Sequence, residues 1–170
     1  MKRLIRKIYV KWLCLIGKAI DISSTSKFPA GYLSNFTPYK FTFRGFEFTS
    51  MESLLQGLKF ETVETQNEVF ERDGVKAKLR GKKRKWYLDQ TLYWQGTPMK
   101  RDSEEYKNIV REAFYALAEN IDFQQTLLAT GDKRLYHTMG KSDPTRTILT
   151  EEEFCGILTE VRTSLKERRI

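Results

Sequence analysis

With 170 residues, 40% of them hydrophobic and 13% aromatic, the chain is long enough for one domain with its own core and too apolar for disorder. A formal net charge of +8 favours anionic partners: nucleic acid, an acidic surface or a phosphorylated small molecule. Cys14, Cys155 and the single histidine, His137, lack the spacing of a zinc site, so no metal is expected, and reduced thiols in a cytoplasmic protein are the default.

Residues 1–18 carry Lys2, Arg3, Arg6, Lys7, Lys11 and Lys18 and no acid. This start imitates a signal peptide, but Lys11 interrupts an apolar stretch too short to cross a membrane, and no clear cleavage site follows. It reads as a basic extension, strand or helix, ahead of a domain over 19–170. The lysines do not gather on one helical face, so no membrane partner is expected. "AIDI" at 19–22 suits a short strand, and a long Ser-, Pro- and Gly-rich loop follows. In "YKFTFRGFEFTS", Phe41, Phe43, Phe46 and Phe48 alternate with polar residues around Arg44-Gly45, a β-hairpin signal.

Ser50 can cap a helix whose Met51, Leu54, Leu55 and Leu58 form an apolar face. Glu52, Gln56 and Lys59 then fall in a stripe of roughly 60° along one edge, at about 100° per residue. That stripe is either the wet face of an amphipathic helix or a carboxylate, an amide and an ammonium aimed into a cleft. "TVETQNEVFERDG" continues helically to Gly74, taken as the stop. A further turn or two over 75–80 precedes a polar, aromatic loop at 81–101. Asp102 or Ser103 caps a helix reaching Asn120, Asp122 opens another that Gly131 closes, and "KRLYHTM" suits a strand. Thr150 and Glu153 form a capping box for the last helix. The sum is a mainly helical α+β domain with a small hairpin sheet.

No P-loop, GxSxG, HExxH or dinucleotide fingerprint is present. Three loop regions carry usable chemistry: "YLSNF" with Asn35 and Phe36, the loop holding Trp86 and Trp94, and "HTMGKSDP" with His137, Lys141 and Asp143. Each has a plain structural reading as well: a turn-forming Asn, core tryptophans, an Asp-Pro turn.

The ordered set "LSNF", a hairpin, "SMESLLQGLKF", "AKLRG", "LLATGDKRLYHT" and "GILTEVR" resembles the YbiA-like (NADAR) superfamily from about Ile20 to Leu165. The resemblance implies an N-glycosidase that cleaves the ribose–nitrogen bond of phosphorylated nucleotide-like compounds, early riboflavin-pathway intermediates among them. One branch removes ADP-ribose from guanine in DNA. Glu52 matches the family glutamate, and Gln56 and Lys59 match its glutamine and lysine. The family tryptophan corresponds to Trp94 or Trp86, with Trp94 preferred for lying closer to the next long helix. Asp143 corresponds loosely to a late aspartate, and the WG-type sequence expected after it is missing.

On that resemblance Glu52 and Asp143 are the catalytic candidates. Asn35, Phe36, Gln56, Lys59, Trp94 and Lys141 are the substrate-binding ones, and no cofactor is implied. The expected partner is a small phosphorylated ribosyl compound, with ADP-ribosylated DNA as the rival substrate. A non-catalytic module for ADP-ribose, NAD or nucleic acid is the rival from another class. The chemistry fits these residue types, because an ionised carboxylate beneath C1′ stabilises an oxocarbenium-like sugar or deprotonates water.

Overall fold

The computed structural model describes residues 2–168. Helix α1 (Lys2–Leu15) docks through Val10 and Leu13 on Ala19 and Tyr136, and Arg6 clasps Glu151 through two hydrogen bonds of 2.8 and 2.7 Å. The basic extension is therefore helical and seated on the domain. Strand β1 (Ala19–Asp21) follows, and after the long loop comes the expected hairpin of β2 (Phe41–Phe43) and β3 (Phe46–Phe48). Arg44 and Gly45 turn it with φ of 49° and 83°, the left-handed pair whose twist matches that of the strands.

Helix α2 (Met51–Gly57) starts as the sequence dictates, with Ser50 and Ser53 satisfying each other's backbone N–H groups. Its environment is less ordinary, because every residue from Met51 to Gly57 is buried. Helix α3 (Val63–Phe70) ends before Gly74, which is not a stop. Asp73 caps a new helix instead, accepting from the Lys76 N–H at 2.9 Å, and α4 runs Gly74–Lys82. Gly74, Ala77 and Gly81 form the buried face of α4 and let it lie close on α2. A Cβ at Gly74 would stand 3.1 Å from both the Phe36 Cα and the Ser50 Oγ, and one at Gly81 would overlap the Gln56 side chain.

The expected loop at 81–101 contains a second hairpin, β4 (Thr91–Trp94) and β5 (Thr97–Lys100). Its turn, Gln95-Gly96, has the same left-handed pair of φ values, 47° and 80°. A buried amide holds it: Gln66 Nε2 donates to the Phe60 and Tyr93 carbonyls, and Gln66 Oε1 accepts from the Gln95 N–H. Ser103 caps α5 (Glu104–Leu117), and Asn120 rather than Asp122 caps α6 (Ile121–Leu128). Strand β6 (Arg134–Tyr136) pairs in parallel with β1, Ile20 against Leu135. Helix α7 (Glu151–Glu167) opens with the Thr150/Glu153 capping box.

Among the described residues, three separate two-stranded sheets thus decorate a helical body. Its main core joins Leu54 and Leu55 of α2 and Leu58 at its C-cap to Ile109, Ala113 and Phe114 of α5 and Phe154, Leu158 and Val161 of α7. Gly81 tests the α2–α4 contact, and Gly156 serves as its control. Gly81→Ala should destabilise by about 1–3 kcal/mol, the usual cost of overpacking, despite alanine's better helix propensity. Gly156→Ala, on an α7 face with nothing within 4 Å, should stabilise by up to about 1 kcal/mol. Urea unfolding of both variants checks the contrast.

Candidate active site

The backbone N–H of Glu52 donates to the Asn35 carbonyl at 2.9 Å, tying the "LSNF" turn to the first turn of α2. From there a polar row runs down the helix. Gln56 Nε2 donates to Glu52 Oε1 at 2.7 Å, and Lys59 Nζ donates to Gln56 Oε1 at 2.6 Å. Lys78 on α4 closes an ion pair with the same Glu52 oxygen at 2.9 Å. Glu52, Gln56 and Lys59 are at most 9% exposed, so the row is no ordinary wet face. Glu52 Oε2 makes no hydrogen bond among the described residues, yet it is not sealed from solvent. Glu52 lines a cleft of about 470 Å³, a volume suited to a nucleotide-sized ligand.

Asn35, Phe36, Glu52, Gln56 and Lys59 form one side of this cleft, with Lys78, Lys82 and Arg84 near them. Trp86 and Tyr87 supply aromatic surface, their rings edge to face at 6.4 Å. Opposite lie His137, Met139 to Lys141 and Arg146 to Thr150. That far wall is fixed by a buried guanidinium. Arg101 donates to the Thr147 carbonyl at 3.0 Å and to Glu153 at 2.6 Å, and Tyr106 bonds the Ile148 carbonyl. His137 is held from behind, its Nδ1–H donating to the Ile22 carbonyl at 2.7 Å and its ring edge-on to Phe154. Nε2, unbonded among the described residues and not buried, remains available to the cleft.

Electrostatics give the cleft its character. Lys59, Lys78, Lys82, Arg84, Lys141 and Arg146 line it, and Glu52 is its single carboxylate. Among the described residues only Lys78 of those six cations has a carboxylate partner. Burial, seconded by the charge of Lys78, lowers the Lys59 pKa to about 8, with Lys141 adding to the effect and Glu52 opposing it.

A model of the bacteriophage protein GP30.3 family matches residues 27–163, which include every cleft residue from Ser34 to Phe154. The chain belongs to that family. It is 35% identical over 152 residues to a 17.1 kDa protein of the Gp30-rIII intergenic region of Enterobacteria phage T4, covering 86% of this chain and 98% of the relative. Its fold is YbiA-like: the NMR structure of the E. coli protein YbiA aligns with a TM-score of 0.62 at 18% identity, over 89% of this chain and 88% of that one.

In this GP30.3-family chain six of the eight residues singled out by sequence share the cleft: Asn35, Phe36, Glu52, Gln56, Lys59 and Lys141. Trp94 does not. Ending β4, it packs among Phe43, Phe46 and Phe70, with ring centroids 5.5 to 6.1 Å away, and Arg44 lies over it. Trp86 takes the place in the cleft wall, carried there by a helical turn (Trp86–Leu88) after α4. Asp143 is also outside. Its carboxylate accepts from the Thr145 N–H at 2.9 Å and the Thr145 hydroxyl at 2.7 Å, a local turn that holds its pKa below the usual range. Lys78, Arg84 and Arg146 were not singled out. Only Lys78 left a sequence signal, one residue from Ala77 and three from Gly81 on the α4 face that meets α2.

Lys59 makes the site pH-sensitive in a defined direction. Below about pH 8 the folded and unfolded states both carry its proton, so its buried charge costs stability in full. Above that value the folded state binds fewer protons than the unfolded one, and stability rises with pH. Wild type should therefore gain stability relative to Lys59→Met between pH 7.5 and about 9.5 in urea titrations. A pH-independent difference would contradict the lowered ammonium.

Proposed function

We propose that the chain is an N-glycoside hydrolase acting on a phosphorylated ribosyl compound. One observation carries this: a buried carboxylate, with one oxygen free of hydrogen bonds among the described residues, lines a cleft whose other charged groups are all cations. A purely anion-binding module gains nothing from that carboxylate, which repels its ligand. A glycosyl transfer site needs it, because positive charge develops on the sugar while the phosphate stays negative.

In this mechanism the C1′–N bond breaks, its electron pair leaves with the nitrogen, and water adds to C1′. Glu52 Oε2 lies against the developing oxocarbenium and takes the water proton. The pair to Lys78 and the bond from Gln56 keep Oε1 occupied, which orients Oε2. Trp86 and Tyr87 offer a surface for the leaving heterocycle, and Asn35, whose side-chain amide has no partner among the described residues, meets its edge or a ribose hydroxyl. In its imidazolium form, protonated at both ring nitrogens, His137 can give the Nε2 proton to the departing nitrogen and keep the Nδ1–H on the Ile22 carbonyl. Lys59, Lys141 and Arg146 answer the phosphate. Riboflavin-pathway ribosylamine phosphates are the leading substrates. The exposed run Lys82–Lys85 at the cleft edge favours ADP-ribosylated DNA as the second reading.

Incubation with ribosylaminopyrimidine phosphates, NAD, ADP-ribose and ADP-ribosylated DNA should release a base or amine from one of them. Glu52→Gln should lower turnover by about a hundredfold or more with an unchanged circular dichroism spectrum. Trp86→Ala should weaken catalysis where Trp94→Phe does not. Release from none of the four, or full activity in Glu52→Gln, would defeat the proposal. A steep loss of activity on the DNA substrate with added salt would select the second reading.

A further inference from the structure

Helix α1 has two apolar faces, and the domain covers one of them. Val10 and Leu13 face Ala19 and Tyr136. On the far side, at 100° per residue, Leu4, Leu15, Ile8, Trp12, Ile5 and Tyr9 fill an arc of roughly 140°. Each is 52 to 79% exposed, and Ile16 continues the patch beyond the helix end. Other exposed large apolar residues of the described chain are scattered over separate segments. A contiguous apolar surface of this kind marks an interaction site.

We propose that this face of α1 docks in the headgroup region of an anionic lipid surface. Charge decides the occupant. Exposed Lys7 and Lys11 border the arc on its Leu4 side, exposed Lys18 follows the helix, and residues 1–18 contain no acid. Arg6 is turned away to Glu151. A second copy seated face to face would set like-charged borders together with no carboxylate on either helix to answer them. Anionic headgroups answer them directly. Tyr9 and Trp12, stacked at 6.2 Å, are the amphipathic ring types that settle at a membrane–water boundary. With 14 residues the helix lies on the surface and does not cross it. The even spread of lysines in sequence hid this arrangement, because only the docking of Val10 and Leu13 tells which face stays free.

Sedimentation of the full chain with vesicles of phosphatidylcholine alone, or with about one-third phosphatidylglycerol, tests the proposal. Binding to the phosphatidylglycerol vesicles is expected, falling with salt and accompanied by a blue shift of Trp12 emission. Ile5→Glu/Ile8→Glu should abolish it with an unchanged melting temperature, and Lys7→Ser/Lys11→Ser should weaken it. Should the double glutamate variant melt early, Trp12→Ser must show the same loss of binding. No sedimentation with either vesicle, or equal sedimentation with both, overturns the proposal. So does a dimer in sedimentation velocity that Ile5→Glu/Ile8→Glu dissolves while vesicles fail to bind.

Discussion

A seven-residue helix buried on every side cannot carry polar side chains unless they satisfy one another, and α2 carries Glu52 and Gln56, with Lys59 just past its end. Burying an unpaired carboxylate or ammonium is costly enough to unfold a small domain. The solution is a continuous row in which the ammonium donates to the amide oxygen, the amide nitrogen donates to the carboxylate, and Lys78 reaches over from α4. That pairing needs α4 close to α2, which Gly74, Ala77 and Gly81 permit. Packing and site chemistry therefore rest on the same contact.

The opposite wall obeys the same rule with different residues. Arg101, almost fully buried, has two partners that both lie beyond α5 in sequence: the Thr147 carbonyl and Glu153. Glu153 also closes the capping box on Thr150, so through Arg101 one carboxylate ties the start of α7 to the irregular segment that ends in Thr147 and Ile148. Asp21 secures the neighbouring turn by accepting from both the N–H and the hydroxyl of Thr138. The cleft is thus a gap between two internally bonded walls.

Local chemistry made much of this legible in sequence. Ser50, Thr150 and the Arg44-Gly45 turn announce elements through their own side chains or φ preferences, and the folded chain keeps all three. The Glu52–Gln56–Lys59 stripe was legible as a stripe, and its cleft is where it pointed. What failed depended on distant contacts. Gly74 looks like a stop, yet Asp73 beside it makes a better start. Gln95-Gly96 lacks the usual turn signature, and its left-handed pair is held by Gln66 from another helix. Missing that hairpin misplaced Trp94, because sequence distance to α5 says nothing once a strand carries the residue away. Asp143 stays outside the cleft for a simpler reason: Thr145, two residues on, already satisfies it.

The row on α2 also sets a length. Glu52 and Lys59 are seven residues apart, a backbone rise of roughly 10 Å. Gln56 between them has only one workable orientation, since an ammonium cannot accept and a carboxylate cannot donate. The amide therefore keeps the two charges from collapsing onto each other and holds them at a fixed interval. Helix α2 behaves as a ruler with a negative mark at one end and a positive mark at the other. Under the proposed function, a substrate would be measured by whether its developing sugar cation and its phosphate are spaced to meet both.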